Sequence, residues 1–313
     1  MENQIYDVAI IGGGPAGLAA GIYAGRAELK VAVVEKYTAG GQLTTTSEIA
    51  NYPGFENPID ATVLAETMEK QAKNFGVEFV KKNVTKITTD EDGNKVLSNR
   101  RGDILSAKTL IFALGAEPRH LGVPGEDELR GVGVSYCAVC DGAFFGGKTC
   151  AVVGGGDTAA ADAIYLSKIC KKVYLIHRRD ELRAAKSYFT ELKKHDNIEF
   201  VWDSVVKEIK GSPMVSSCVL ENVKTGETSE LELDGIFVAV GTTPSTKLAE
   251  GVCELDERGF IKAGEDTKTS APGVYAAGDC RTKLLRQVVT AVADGAIAAT
   301  EAGEYLNNGD KKW

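Results

Sequence analysis

A glycine-rich strand–turn–helix–strand unit occurs twice in this chain of 313 residues, and no other feature constrains its fold so tightly. In the first copy, YDVAIIGGGPAGLAAGIYAGRAELKVAVVEK, the apolar run Val8–Ile11 predicts a strand. A helix is predicted over about Pro15–Arg26 and a returning strand over Val31–Val34. The second copy, KTCAVVGGGDTAAADAIYLSKICKKVYLIHRRDELRA, repeats the pattern with Gly154 standing 142 positions after Gly12. Strands joined through a crossover helix lie parallel in one sheet, so two such units predict two α/β domains.

The glycines suggest what each unit binds. Gly12-x-Gly14-x-x-Gly17 has the dinucleotide spacing: the first glycine makes the tight turn, the second admits a diphosphate, and the third lets helix and strand pack closely. The diphosphate would lie on the helix N-terminus, where free N–H groups and the helix dipole favour negative charge. Glu35 closes the second strand, where a carboxylate can accept hydrogen bonds from the ribose hydroxyls of an adenosine. In the second unit the fingerprint is Gly154-x-Gly156-x-x-Ala159, with Asp157 and Thr158 between Gly156 and Ala159. The position equivalent to Glu35 is His177, followed by Arg178, Arg179 and, four residues on, Arg183. Guanidinium groups bind a 2′-phosphate that an acid would repel. The first unit therefore suits an unphosphorylated adenosine and the second suits NADPH.

A second echo sets the domain order. TLIFALGAEPR (109–119) and GIFVAVGTTPS (235–245) both read as strands running to a glycine, Gly115 and Gly241, with a proline three residues on. These mark the two crossings between domains. One discontinuous domain is expected over 1–116 and 246–313, with the other inserted over 117–245. The expected fold class is α/β, two Rossmann-like three-layer domains, the NADPH domain inserted into the one that holds the other dinucleotide. PGVYAAGDCR supplies a short strand and Gly278–Asp279, and an apolar helix from about Arg286 to Leu306 follows. A helix capped by Asp60 and stopped at Gly76, and a hairpin turning near Thr225–Gly226, read as scaffold.

Composition narrows the function classes. A net charge of -8 without a basic stripe argues against nucleic-acid binding. The uncharged stretch 8–25 is broken by glycine and proline and preceded by Asp7, which fits neither a signal peptide nor a lipid-facing helix. Seven cysteines, an odd number, do not suggest a secreted disulfide framework, and a cytoplasmic protein is expected. Cys150, Cys170, Cys218, Cys253 and Cys280 are scattered and read as packed apolar residues. Only Cys137-x-x-Cys140, with Asp141 behind it, forms a motif. Spacing alone leaves it open as half of a zinc site, a staple or a reacting dithiol.

The chain resembles the low-molecular-weight, bacterial-type thioredoxin reductases along nearly its whole length. The resemblance rests on Gly12–Gly17, GGQLTTT (40–46), the dithiol with its aspartate, GGGDTA (154–159), HRRDELRA (177–184), AAGD (276–279) and Arg286–Gln287. It implies FAD in the first domain, with Asp279 on the ribityl chain and Gln42, Arg286 and Gln287 near the isoalloxazine. It places the NADPH phosphate on Arg178, Arg179 and Arg183. Two positions depart from the usual pattern: Ala161–Asp162 stand where two glutamates are common, and Leu114 where a threonine is usual. For the cysteine motif, zinc needs four ligands and the chain has one C-x-x-C and three histidines. A staple closing so few residues removes little chain entropy. A redox dithiol remains. By the resemblance Cys140 faces the flavin, Cys137 attacks the disulfide of thioredoxin or a thioredoxin-like partner, and Asp141 is the acid–base group; a turn-forming or helix-capping Asp141 fits the sequence equally well. The resemblance also implies a homodimer. A related flavoprotein with another donor or acceptor (ferredoxin-linked, glutaredoxin-like or peroxidase-linked) is the alternative.

Overall fold

Each glycine turn is held by contacts that exclude a side chain. The computed structural model describes residues 5–45 and 48–308; Thr46, at the end of GGQLTTT, lies outside them. Strand β1 (Ile5–Ile11) runs apolar into Gly12, whose φ is +109° and whose added Cβ would overlap the carbonyl of Ala113. At Gly17 a Cβ would overlap the carbonyl oxygen of Gly12, so only glycine lets helix α1 (Pro15–Arg26) begin this close to the strand. Proline opens that helix, where its missing N–H costs nothing. Strand β2 (Val31–Glu35) returns parallel to β1, with Val8 opposite Val31 and Ile11 opposite Val34.

The chain continues through α2 (Ala61–Asn74), whose first turn is capped by Asp60 accepting from the N–H groups of Thr62 and Val63 at 2.8 and 3.0 Å. Strands β3 (Glu78–Lys81), β4 (Lys86–Thr89), β5 (Lys95–Asn99) and β6 (Gly102–Phe112) follow.

A second compact unit spans Pro118–Thr242, and the first comprises Met1–Glu117 with Thr243–Trp313. In the second unit come β7 (Val134–Ser135), the one-turn helix α3 (Ala138–Asp141), β8 (Thr149–Val153), α4 (Asp157–Ser167), β9 (Lys172–Ile176), α5 (Lys186–Leu192) and β10 (Ile198–Val201). An antiparallel sheet follows, β11 (Ser204–Gly211), β12 (Val215–Asn222) and β13 (Thr228–Glu232), then β14 (Gly235–Val238). The five-stranded parallel sheet has the order β7-β14-β8-β9-β10. The expected hairpin is present, with Gly226 at φ +75° in its turn, but β11 joins it as a third strand.

Back in the first unit, β15 (Val274–Ala276) leads to α6 (Val288–Asn308). The seven-stranded sheet runs β3-β2-β1-β6-β5-β4, with β15 parallel to the far end of β6. Strand β6 is long enough to pair antiparallel with β5 along its first half and parallel with β15 along its last three residues. Its final residues Leu110, Ile111 and Phe112 are fully buried. Valine, alanine and isoleucine from α1, β1, β2 and α6 form one core cluster, and the opposite sheet face forms another. Among the described residues no helix is long and apolar enough to cross a membrane; the uncharged stretch 8–25 is β1, its turn and α1.

Candidate active site

In the first unit the glycine turn and Glu35 meet. The Glu35 carboxylate accepts the N–H of Gly13 at 2.8 Å and that of Tyr37 at 3.1 Å, fixing it at the end of β2 beside the turn. A Cβ on Gly14, at the start of α1, would come into ordinary van der Waals contact with the Gly41 Cα at 3.8 Å, and no side chain among the described residues caps that helix end. Asp279 sits in a 3-10 turn, Gly278–Cys280, after β15. Its Oδ1 is buried and has no hydrogen-bond partner among the described residues. Burial pushes its carboxyl above the usual range, while Lys283 and Arg286 partly counter this. An orphaned buried acceptor costs free energy unless a ligand supplies a donor. Arg286 is held by the Asp279 and Arg281 carbonyls at 3.3 and 3.2 Å and lies 4.2 Å from the centre of the Phe260 ring. Gln287 accepts from Asn51 at 2.9 Å, and Gln42 donates to the carbonyl of Ala116. A dinucleotide bearing hydroxyl groups fits these residues: a helix start without a side-chain cap, an anchored carboxylate, and an unpaired buried acceptor.

In the second unit, α4 starts immediately after Gly156, and Asp157 Oδ1 accepts the N–H of Ala185 at 2.8 Å. The N–H of Arg183 donates to the Gly155 carbonyl at 2.7 Å. These two bonds tie the basic segment 178–185 to the glycine turn, although it follows the turn by more than twenty residues. Thr158 is exposed on the first turn of the helix. The His177 ring is buried and occupies the space where a Cβ on Gly155 would lie. Burial, together with the nearby charges of Arg183, Arg178 and Arg179, holds His177 below its ordinary pKa and therefore neutral near pH 7. His177 is thus a packed wedge beneath the turn, whereas the three arginines are exposed above it. Lys224, from the β12–β13 turn, pairs with Asp180 at 2.9 Å and Asp203 at 3.0 Å, a contact the sequence did not signal. On α4, Asp162 is pushed up to about 7 by burial.

The same unit carries the cysteines. Cys137 and Cys140 are joined as a disulfide, with Cα atoms 5.3 Å apart. Cys137 stands at the N-cap of α3, and its Sγ accepts the N–H of Cys140 at 3.2 Å. That donor favours negative charge on the Cys137 sulfur once the disulfide is reduced. The Asp141 side chain makes no capping bond; it accepts the hydroxyl of Ser135 at 2.6 Å, and Ser135 in turn accepts the N–H of Cys137 at 3.1 Å. Burial raises the Asp141 carboxyl above the usual range, and the Ser135 bond partly offsets this. Sequence reasoning missed Ser135, which lies two residues before the motif and carries no pattern of its own. The other five cysteines are free; four are buried, and burial pushes Cys218 up to about 12 and Cys280 up to about 11.

A disulfide followed by an aspartate, in one unit with a basic-flanked glycine turn, is disulfide redox chemistry built beside a nucleotide fold. The family model for pyridine nucleotide-disulphide oxidoreductases matches residues 6–295. The chain belongs to this family. It is 49% identical over 313 residues to a thioredoxin reductase of Peptoclostridium acidaminophilum, covering 98% of each chain. Identity to a thioredoxin reductase of Bacillus subtilis is 42% over 306 residues, covering 97% of this chain and 96% of that one. The crystal structure of thioredoxin reductase from Streptococcus pyogenes superposes with a TM-score of 0.91 at 45% identity, covering 98% of this chain and 99% of that one. The two-unit α/β architecture matches the expected fold class, and the chain is an oxidoreductase of a family that works with FAD and NADPH.

Proposed function

We propose that this chain is an NADPH-dependent thioredoxin-disulfide reductase. The observation that carries the reading is the Cys137–Cys140 disulfide with Asp141 bonded to Ser135, in a chain alike over 98% of its length to a named thioredoxin reductase. The first unit, about 1–116 and 246–313, holds FAD through Gly12, Gly14, Gly17, Glu35, Gln42, Asp279, Arg286 and Gln287. The inserted unit, 117–245, takes NADPH at Gly154, Gly156, Asp157 and Thr158, with Arg178, Arg179 and Arg183 reading the 2′-phosphate and His177 supporting the turn. Bound NADPH and FAD supply a hydride and an electron relay that reduce the disulfide.

The remaining chemistry belongs to the chain's own side chains. The Cys137 thiolate attacks one sulfur of the thioredoxin disulfide, and the displaced partner thiolate takes a proton. Cys140 then attacks the Cys137 sulfur, which restores the intramolecular disulfide and releases the second partner thiolate. Asp141 holds the proton for a leaving thiolate. The acid must be protonated to give that proton, and burial raises its pKa. The acid-assisted step therefore weakens as pH rises through the folded-state pKa. Asp141→Asn should flatten that limb of the pH–rate profile, and an unchanged profile would remove Asp141 from the role.

Oxidised thioredoxin mixed with NADPH and purified protein tests the whole reading; no thioredoxin-dependent loss of NADPH absorbance would overturn it. The protein should also be yellow and release FAD on denaturation, since the first glycine turn with Glu35 suits a dinucleotide bearing ribose. Chromatography of the released flavin distinguishes FAD from FMN, and FMN would contradict this assignment. A cytoplasmic homodimer completes the reading, with light scattering after gel filtration as its check.

A further inference from the structure

The last helix of the chain, α6, carries a buried acid that the reaction does not use. Asp294 is 4% exposed, on a helix whose other buried residues are alanine and glycine. Its Oδ1 accepts Arg281 Nη2 at 2.7 Å, and its Oδ2 accepts Arg281 Nε and Lys283 Nζ, both at 2.8 Å, and the N–H of Gly278 at 2.9 Å. Both cationic side chains are nearly as buried as the carboxylate. Buried ion clusters of this kind are poor devices for stability alone, because well-packed apolar residues of similar volume do as well or better. Every one of the four donors comes from a single segment, 278–283. That segment contains Asp279.

The neighbouring packing gives the cluster a direction. A Cβ on Gly278, which has φ +78°, would come within 2.9 Å of the Ala16 side chain. At Gly295, next to Asp294, an added Cβ would overlap the Ala16 carbonyl oxygen. Ala16 is the second residue of α1, inside the Gly12–Gly17 turn. Helix α6, the start of α1 and the turn holding Asp279 therefore meet at one point of the first unit. From α6, the Asp294 side chain bonds directly to the backbone of that turn, at the Gly278 N–H.

We propose that Asp294 is a positioning residue for the flavin: by tying Gly278 and both cations of segment 278–283 to α6, it sets the Asp279 turn in register with the glycine turn, so that the free Asp279 oxygen faces the ligand. This rests on the FAD reading of the first unit. Arg281 also bonds the carbonyls of Ala263 and Thr282 at 3.3 and 3.0 Å, which ties the segment to Ala263 as well as to α6.

The test follows flavin release from full-length protein on dilution, read by flavin fluorescence. Asp294→Asn should weaken FAD binding at least tenfold and alter the visible circular dichroism of the bound flavin while the far-ultraviolet spectrum stays unchanged. Arg281→Met removes two of the four bonds but leaves Gly278 and Lys283 on the carboxylate, and should weaken FAD binding by less than Asp294→Asn does. Because Asp294→Asn strands two buried cations, the double variant Asp294→Asn/Arg281→Met, which preserves the net charge of the cluster, supports the test. It should fold and still bind FAD at least tenfold more weakly. Wild-type affinity in either folded Asp294 variant overturns the proposal, as does failure of both to fold, which would assign Asp294 to the fold alone. Wild-type protein that carries no FAD would instead overturn the flavin reading.

Discussion

Cys137→Ser and Cys140→Ser are each expected to lower thioredoxin reduction by more than about a thousandfold, since the loss of a reacting nucleophile is among the largest single effects known in enzymes. NADPH should still bleach the flavin absorbance in both, because hydride transfer needs no thiol. The two variants should differ in what they trap. Reduced Cys140→Ser keeps the nucleophile proposed here, Cys137, but lacks the thiol that resolves the mixed disulfide. It should therefore accumulate a covalent adduct with thioredoxin, visible on a non-reducing gel and released by dithiothreitol. Cys137→Ser should form no such adduct, or form it far more slowly. The structural reason is the N–H of Cys140, which points at the Cys137 sulfur and favours its thiolate. Adduct formation by Cys137→Ser alone would exchange the two roles. Turnover of thioredoxin near the wild-type rate in either variant would end the dithiol mechanism.

Much of this site is written locally and is therefore legible. The glycine turns specify themselves because steric exclusion acts over a few neighbouring residues, as at Gly12 and Gly17. Asp60 and Gly76 bound α2 for the same reason: a cap and a left-handed residue are properties of one or two positions. The boundaries of the last helix shifted by two residues, from Arg286–Leu306 to Val288–Asn308, with no consequence for the residues assigned to the site.

What the sequence hid is non-local. Ser135 becomes significant only because the turn into α3 brings its hydroxyl to Asp141 and to the Cys137 N–H. Strand β11 carries no local signal, since its pairing with β12 is set by tertiary packing and includes register shifts that blur alternation. His177 shows the converse. Its place after β9 invited a phosphate contact, yet the absence of a side chain at Gly155 draws the ring inward, and burial keeps it neutral. Asp294 was an acid in an apolar helix, a visible anomaly whose partners, 11 to 16 residues earlier, only the fold reveals.

Arg178→Ala and Arg179→Ala should raise KM for NADPH strongly and KM for NADH little. A charge-assisted hydrogen bond to a phosphate is worth roughly 1.5–3 kcal/mol, which corresponds to about 10- to 150-fold. Both side chains are exposed in the structure, so solvent screening places each single variant toward the lower end of that range. The double variant should exceed either alone, though less than additively, because the two guanidiniums share one phosphate. Their position follows from the bonds that hold the loop: Arg183 N–H on the Gly155 carbonyl and Ala185 N–H on Asp157 bring the basic segment back over the start of α4. A 2′-phosphate lies on the adenosine end of NADPH, away from the reacting ring, so binding is uniform through the reaction and kcat should hardly move. High salt should reduce the preference for NADPH over NADH in the wild type and leave the double variant nearly indifferent. Should both nucleotides be affected alike, the arginines act on something common to the two, such as the diphosphate, and the specificity for NADPH must be sought elsewhere in the unit.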